Sequence, residues 1–171
     1  MIVVSDTGPI HYLLLIEREF LLPKLFNAVI LPQAVIDELT AVGTPQLVKR
    51  WVNALPDWVN VMNPTPIGDA SDGRGRGERA AIALAKELNA PLLCDDRQAS
   101  AAARREGILV SGTLGVLKEA HVLGLDDIRE ATAKLEQTNY RVTKELVKQV
   151  VASALEMREQ QNNRDKLGSD S

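Results

Sequence analysis

Apolar residues along the chain group in two ways. Ile2-Val3-Val4-Ser5, Ala28-Val29-Ile30-Leu31, Trp58 to Met62, Leu92-Leu93-Cys94 and Ile108 to Val110 are short apolar runs of strand length. Between them the apolar positions recur at helical spacing. Pro9 starts a helix carrying Ile10, Leu13 and Leu14, with a break expected near Pro23. Gln33 opens a second helix that the pattern carries to about Val42, with Gly43 as its stop. Thr44-Pro45 pairs an N-cap with a first-turn proline and predicts a helix to about Asn53. Further helices are expected over Glu78–Leu88, Arg97–Glu106, Thr113–Leu123, Asp126–Gln137 and Thr143–Met157. Short strands alternating with helices predict an α/β fold, three layers deep (α/β/α), around a short and mostly parallel central sheet.

Two stretches break this rhythm. Residues 56–77 hold three prolines and four glycines, so a flexible loop is expected over about 63–77. Residues 159–171 are polar and are expected to fray as a disordered tail, leaving one domain over residues 1–158. A chain of 171 residues, 45% hydrophobic, suits a single core. Its 20 Lys and Arg against 23 Asp and Glu give a net charge of -3, which provides no basic footprint for tight nucleic-acid binding. Cys94 is the only cysteine, so no intrachain disulfide forms. No apolar run approaches the roughly 18 residues of a membrane span. The first strand begins at Ile2, with no room before it for a secretory leader, and a cytoplasmic location is expected.

Carboxylates stand where two of the strands end. Asp6 follows the first, and Asp95 and Asp96 follow Leu92-Leu93-Cys94. In open α/β sheets, ligands bind just beyond the carboxyl ends of the strands. Helical geometry adds two more acids. Val35, Leu39 and Val42 define an apolar stripe, with Glu38 about 60° from its centre and Asp37 about 160° away. Glu78 lies on the side of the stripe of Ile82, Ala85, Ala81 and Leu88, and Glu87 well away from it. Each acid also has an ordinary use. Asp6, Asp95 and Asp96 can cap the helices that follow them. Glu78 can complement a helix dipole from the first turn.

Other motifs point elsewhere. Gly75-Arg76-Gly77-Glu78-Arg79-Ala80 fits a dinucleotide-binding fingerprint, but no strand is expected to run into its first glycine. His11 and His121, with one cysteine, offer no zinc spacing. Arg74, Arg76 and Arg79 are either RNA contacts or part of a solvated linker; Arg97, Arg104 and Arg105 are either phosphate contacts or a solvated helix face.

Four segments in this order carry a resemblance: Val3-Val4-Ser5-Asp6-Thr7-Gly8-Pro9, Leu31-Pro32-Gln33-Ala34-Val35-Ile36-Asp37-Glu38-Leu39, Gly77-Glu78-Arg79-Ala80-Ala81-Ile82-Ala83-Leu84-Ala85 and Leu92-Leu93-Cys94-Asp95-Asp96-Arg97. Together they resemble the PIN-domain family. With Gly112-Thr113-Leu114-Gly115-Val116-Leu117 they are similar to a prokaryotic subgroup of it. The resemblance implies a metal-dependent ribonuclease (a hydrolase) with carboxylates around Mg²⁺ or Mn²⁺ and products bearing 5′-phosphate and 3′-hydroxyl. It also implies a toxin of a toxin–antitoxin pair. Expected partners are then RNA, a small antitoxin protein and a second copy of the chain. By the same resemblance Asp6 matches the first-strand aspartate, Glu38 the helix glutamate and Asp96 the last acid. Asp95 is a neighbour that can substitute as a ligand, and Glu78 stands where many members have aspartate. Cys94 stands where others often carry threonine. Mg²⁺ prefers oxygen donors, keeps several waters and is usually held by a few carboxylates plus substrate phosphate.

Overall fold

The computed structural model describes residues 1–66 and 74–169 and divides into two compact units, Met1–Thr113 and Leu114–Ser171. The first contains every strand among the described residues. β1 (Ile2–Ser5), β2 (Ala28–Leu31), β3 (Val59–Val61), β4 (Leu92–Leu93) and β5 (Val110–Ser111) form one parallel sheet in the order β3-β2-β1-β4-β5. The sheet is short, each strand being only two to four residues long. Register pairs Val4 with Ile30 on one side and with Leu92 on the other.

Alternation along the strands creates two buried faces. Val4, Ile30 and Leu92 join Ala81, Ile82 and Ala85 of α5 (Arg76–Glu87) and Ala99 and Ala103 of α6 (Arg97–Arg105) in one apolar cluster. Their neighbours Val3, Val29 and Leu93 point the other way and are just as buried. Between β1 and β2 come α1 (Thr7–Leu15) and the short α2 (Leu22–Leu25), which lies against β2. The result is a three-layer α/β/α fold around an all-parallel five-stranded sheet. Small residues at the α5 and α6 contacts let both helices approach the sheet closely.

Several boundaries differ from the pattern. Pro23 does not break the chain into loop; it sits in the first turn of α2, where a missing N–H costs nothing. Helix α3 (Gln33–Leu39) ends before Val42 because the Thr40 hydroxyl bonds back to the carbonyls of Ile36 and Asp37, at 3.0 and 3.2 Å. Gly43, with φ of 88°, completes the turn into α4 (Gln46–Asn53). Of the loop expected over about 63–77, residues 67–73 lie outside the described residues. On its near side the Thr65 amide donates to Glu87 at 2.8 Å, and on its far side α5 has already begun at Arg76.

The second unit is helical, with most of α7 (Thr113–Val122), then α8 (Ile128–Glu136) and α9 (Lys144–Ser169). Asp127 caps α8 by accepting from the Arg129 amide at 2.8 Å. Arg158 reaches from α9 to the Val122 carbonyl at 2.8 Å, close against Gly124. Helix α9 continues well past Met157, where the apolar pattern stops. Its later turns are joined by polar pairs four residues apart, Gln160 with Glu156 and Gln161 with Asp165. No helix among the described residues is long and apolar enough to cross a membrane.

Candidate active site

Chain order runs outward from β1 to β3, then returns to the far side of β1 for β4 and β5. The connections therefore diverge between β1 and β4, and such a switch point opens a crevice at the carboxyl edge of the sheet. Asp6 and Asp96 stand at that edge. Their strands are tied by the Asp6 amide donating to the Leu93 carbonyl at 2.9 Å.

Asp6 is the most enclosed of the acids, 6% exposed. It occupies the N-cap position of α1 without making the side-chain cap bond that would explain it there. Its Oδ1 has no hydrogen-bond partner among the described residues. Its Oδ2 faces the Cys94 thiol at 3.8 Å, and the same S–H lies equally far from the Asp96 carbonyl. Burial, reinforced by the charges of Glu78 and Glu38, pushes the Asp6 carboxyl up to about 7 from an ordinary 3.8, while the Thr7 amide and the thiol pull the other way. Cys94 is pushed up to about 12, first by burial and then by the Asp6 charge, so it stays a neutral donor.

Glu38 and Glu78 take the orientations that helical geometry gave them. Glu38 is half-buried, whereas Asp37 is exposed and accepts from Gln33 on its own helix. Glu78 is half-buried in the first turn of α5, and Glu87 is exposed. The Glu78 carboxyl is raised by burial and then by the Asp96 and Glu38 charges. Glu38 has both oxygens engaged: Oε2 accepts from the Thr7 hydroxyl and Oε1 from the Gly77 amide at 2.9 Å.

The two adjacent aspartates after β4 part company. Asp96 is exposed and caps α6, its Oδ1 accepting from the Ala99 amide at 2.8 Å. Asp95 turns to the start of α7, accepting from the Thr113 amide at 2.7 Å and from the Thr113 hydroxyl at 2.6 Å. It is wedged between glycines. A Cβ on Gly112 would lie 2.6 Å from Asp95 Oδ1, and one on Gly8 would lie 3.3 Å from Oδ2. Mutual charge thus links Asp6, Glu38, Glu78 and Asp96, while the Asp95 carboxylate is committed to Thr113.

Of the basic residues, Arg76 and Arg97 are exposed first residues of α5 and α6, and Arg74 and Arg79 are half-buried. His11 packs edge-on against Tyr12, its ring centroid 4.9 Å away. The glycines of the dinucleotide-like motif have another use, because Gly77 leaves the space that the Glu38 carboxylate fills. Sequence reasoning did not identify Thr7, Gly77 and Thr113 as the partners of Glu38 and Asp95. Each lies in a quoted motif, but only the fold shows which acid it faces.

Among the described residues, no group of three or more His, Cys, Asp or Glu side chains forms a ready-made metal cage. A hard divalent ion does not require one, since water and substrate phosphate complete its shell. An orphaned buried carboxylate oxygen on Asp6, with further oxygen donors nearby, suits such an ion. No curated protein and no solved structure matches the chain. A family model described as a PIN domain matches residues 2–156. PIN domains are in general nucleases and typically use divalent metal ions. The chain belongs to the PIN-domain family, and its fold is of the nuclease type.

Proposed function

We propose that this chain is a Mg²⁺- or Mn²⁺-dependent endoribonuclease that hydrolyses RNA phosphodiester bonds. The observation that carries the reading is Asp6, a buried carboxylate at the β1/β4 switch point with one oxygen unpartnered among the described residues. A buried polar atom without a partner costs about 1–3 kcal/mol, a cost that a bound cation would offset. Asp6 and Asp96 are the ligands in this reading, with Glu78 beside them and Glu38 lining the same crevice. When bound, the ion neutralises charge on the phosphate and makes water a better nucleophile.

The chain's own residues do the rest. The Cys94 thiol lies 3.8 Å from Asp6 Oδ2, which would leave Oδ1 to hold a bound ion. Glu78 retains a proton more readily than an ordinary glutamate, so it suits proton uptake from the attacking water or delivery to the departing 3′-oxygen. Arg76 and Arg97, at the first turns of two helices, bind flanking phosphates, aided by the partial positive charge of those helix ends. Its assignment as the toxin of a toxin–antitoxin pair, with a small antitoxin protein as partner, rests on the family likeness alone.

A second reading has one observation in its favour: the absence of a preassembled cage among the described residues suits a PIN-like module that binds RNA or protein without cleaving. The test is cleavage of a labelled RNA by the purified chain with Mn²⁺, with EDTA, and with the Asp6→Asn variant. Cleavage that needs Mn²⁺ and is lost in the variant is expected. RNA left intact by wild type under all conditions leaves the binding module as the better reading.

A further inference from the structure

The four acids that share the crevice are not used alike. Both oxygens of Glu38 already accept a hydrogen bond, one from the hydroxyl of Thr7 and the other from the amide of Gly77. Thr7 is covalently next to Asp6, and Gly77 is next to Glu78. A Cβ at Gly77 would lie 2.5 Å from Glu38 Oε2 and 2.7 Å from both Cδ and Oε1. The chain thus leaves out a side chain at the one place where the carboxylate presses against the α5 backbone. Asp6 presents the opposite picture, with Oδ1 lacking a hydrogen-bond partner among the described residues.

We infer that Glu38 is a positioning residue: its carboxylate clamps the start of α1 to the start of α5 and thereby fixes Asp6 and Glu78 about the ion, without itself binding the ion. The inference rests on the metal-site reading of the acidic crevice and assigns its labour. The two hydrogen bonds explain why a charge is tolerated beside other carboxylates. A carboxylate that accepts from a hydroxyl and from a first-turn amide is stabilised by both donors and by the helix end.

Glutamine separates the two roles. Its Oε1 can accept from the Gly77 amide while its Nε2 donates to the Thr7 hydroxyl oxygen, so Glu38→Gln keeps the clamp and removes the anionic ligand. Alanine removes both. Gly77→Ala leaves Glu38 in place chemically but drives its carboxylate out of the clamp. Thr7→Val deletes one arm.

The experiment measures Mn²⁺ affinity by calorimetry, and thermal melts in EDTA, for wild type, Glu38→Gln, Glu38→Ala, Gly77→Ala, Thr7→Val and Asp6→Asn. Glu38→Gln is expected to bind Mn²⁺ within about threefold of wild type. Glu38→Ala, Gly77→Ala and Thr7→Val are expected to bind about tenfold or more weakly, the range seen when the residues that orient a metal's ligands are removed. In EDTA, Glu38→Ala should melt below wild type, because loss of the clamp outweighs relief of charge repulsion. If Glu38→Gln loses Mn²⁺ as completely as Asp6→Asn does, Glu38 is a ligand and the inference is overturned. A Glu38→Ala variant that melts above wild type in EDTA overturns it as well. Should Glu38→Ala not fold, Glu38→Gln against Asp6→Asn still decides. Undiminished Mn²⁺ binding by Asp6→Asn would instead remove the metal site on which the inference stands.

Discussion

Aspartates three residues or fewer from a strand end can look identical in a sequence and do different work. Asp96 caps a helix and Asp95 braces Thr113, whereas Asp6 does neither and has one oxygen without a hydrogen-bond partner among the described residues. Burial separates them, and sequence alone cannot supply burial at a strand end. What helical geometry could supply, the inward lean of Glu38 and Glu78 against the outward lean of Asp37 and Glu87, agrees with their exposure. The Asp6 environment has a consequence for stability. Its carboxyl titrates at about 7 in the fold against an ordinary 3.8, so between those values the folded chain holds a proton that the unfolded chain has lost. The part of the stability that Asp6 controls therefore falls as pH rises from about 4 to about 7 and then levels off. In EDTA, Asp6→Asn should match wild type near pH 4 and exceed it above pH 7. The gap at pH 8 is on the order of 4 kcal/mol at most, taking 1.36 kcal/mol per unit. Denaturant melts at the two pH values check this, and a constant difference between them would contradict it.

At the scale of elements, the apolar runs and helical spacing locate β1 to β4 and the longer helices, whereas β5 starts only at Val110, where the run from Ile108 ends, and continues into the polar Ser111. The misplaced ends have local chemical causes. A threonine hydroxyl stops α3 early, a proline starts α2, and polar pairs carry α9 beyond its last apolar contact. Such bonds leave no trace in hydrophobic periodicity. Two predictions belong here. Thr113→Val keeps the shape of a fully buried side chain but takes a donor from the Asp95 carboxylate, and should cost about 1–3 kcal/mol in urea unfolding. Truncation after Gln160 removes turns that are almost entirely exposed, while keeping the Arg158 bond to the Val122 carbonyl. The melting temperature should move by less than about 2 °C; a drop of several degrees would show that those turns support the fold.

For the whole molecule, strand–helix alternation led to the three-layer class, but the strand order was not legible. Pairing β1 with β4 rather than leaving it at an edge depends on where helices fit against a twisted sheet, which no single segment encodes. That order has a temporal consequence. The first strand of the chain is also the central one, and one of its two neighbours, β4, lies some ninety residues downstream by the register of Val4 with Leu92. While the chain emerges from a ribosome, β1 can pair with β2 and β2 with β3, but the crevice has only one wall. Asp6 waits beside an open sheet edge until β4 arrives with Asp96 and closes it. A parallel pairing over so long a separation is slow to form, since the loop must close before contacts reward it. The acidic crevice is therefore a late product of synthesis, and the growing chain carries its acids apart until most of the first unit exists.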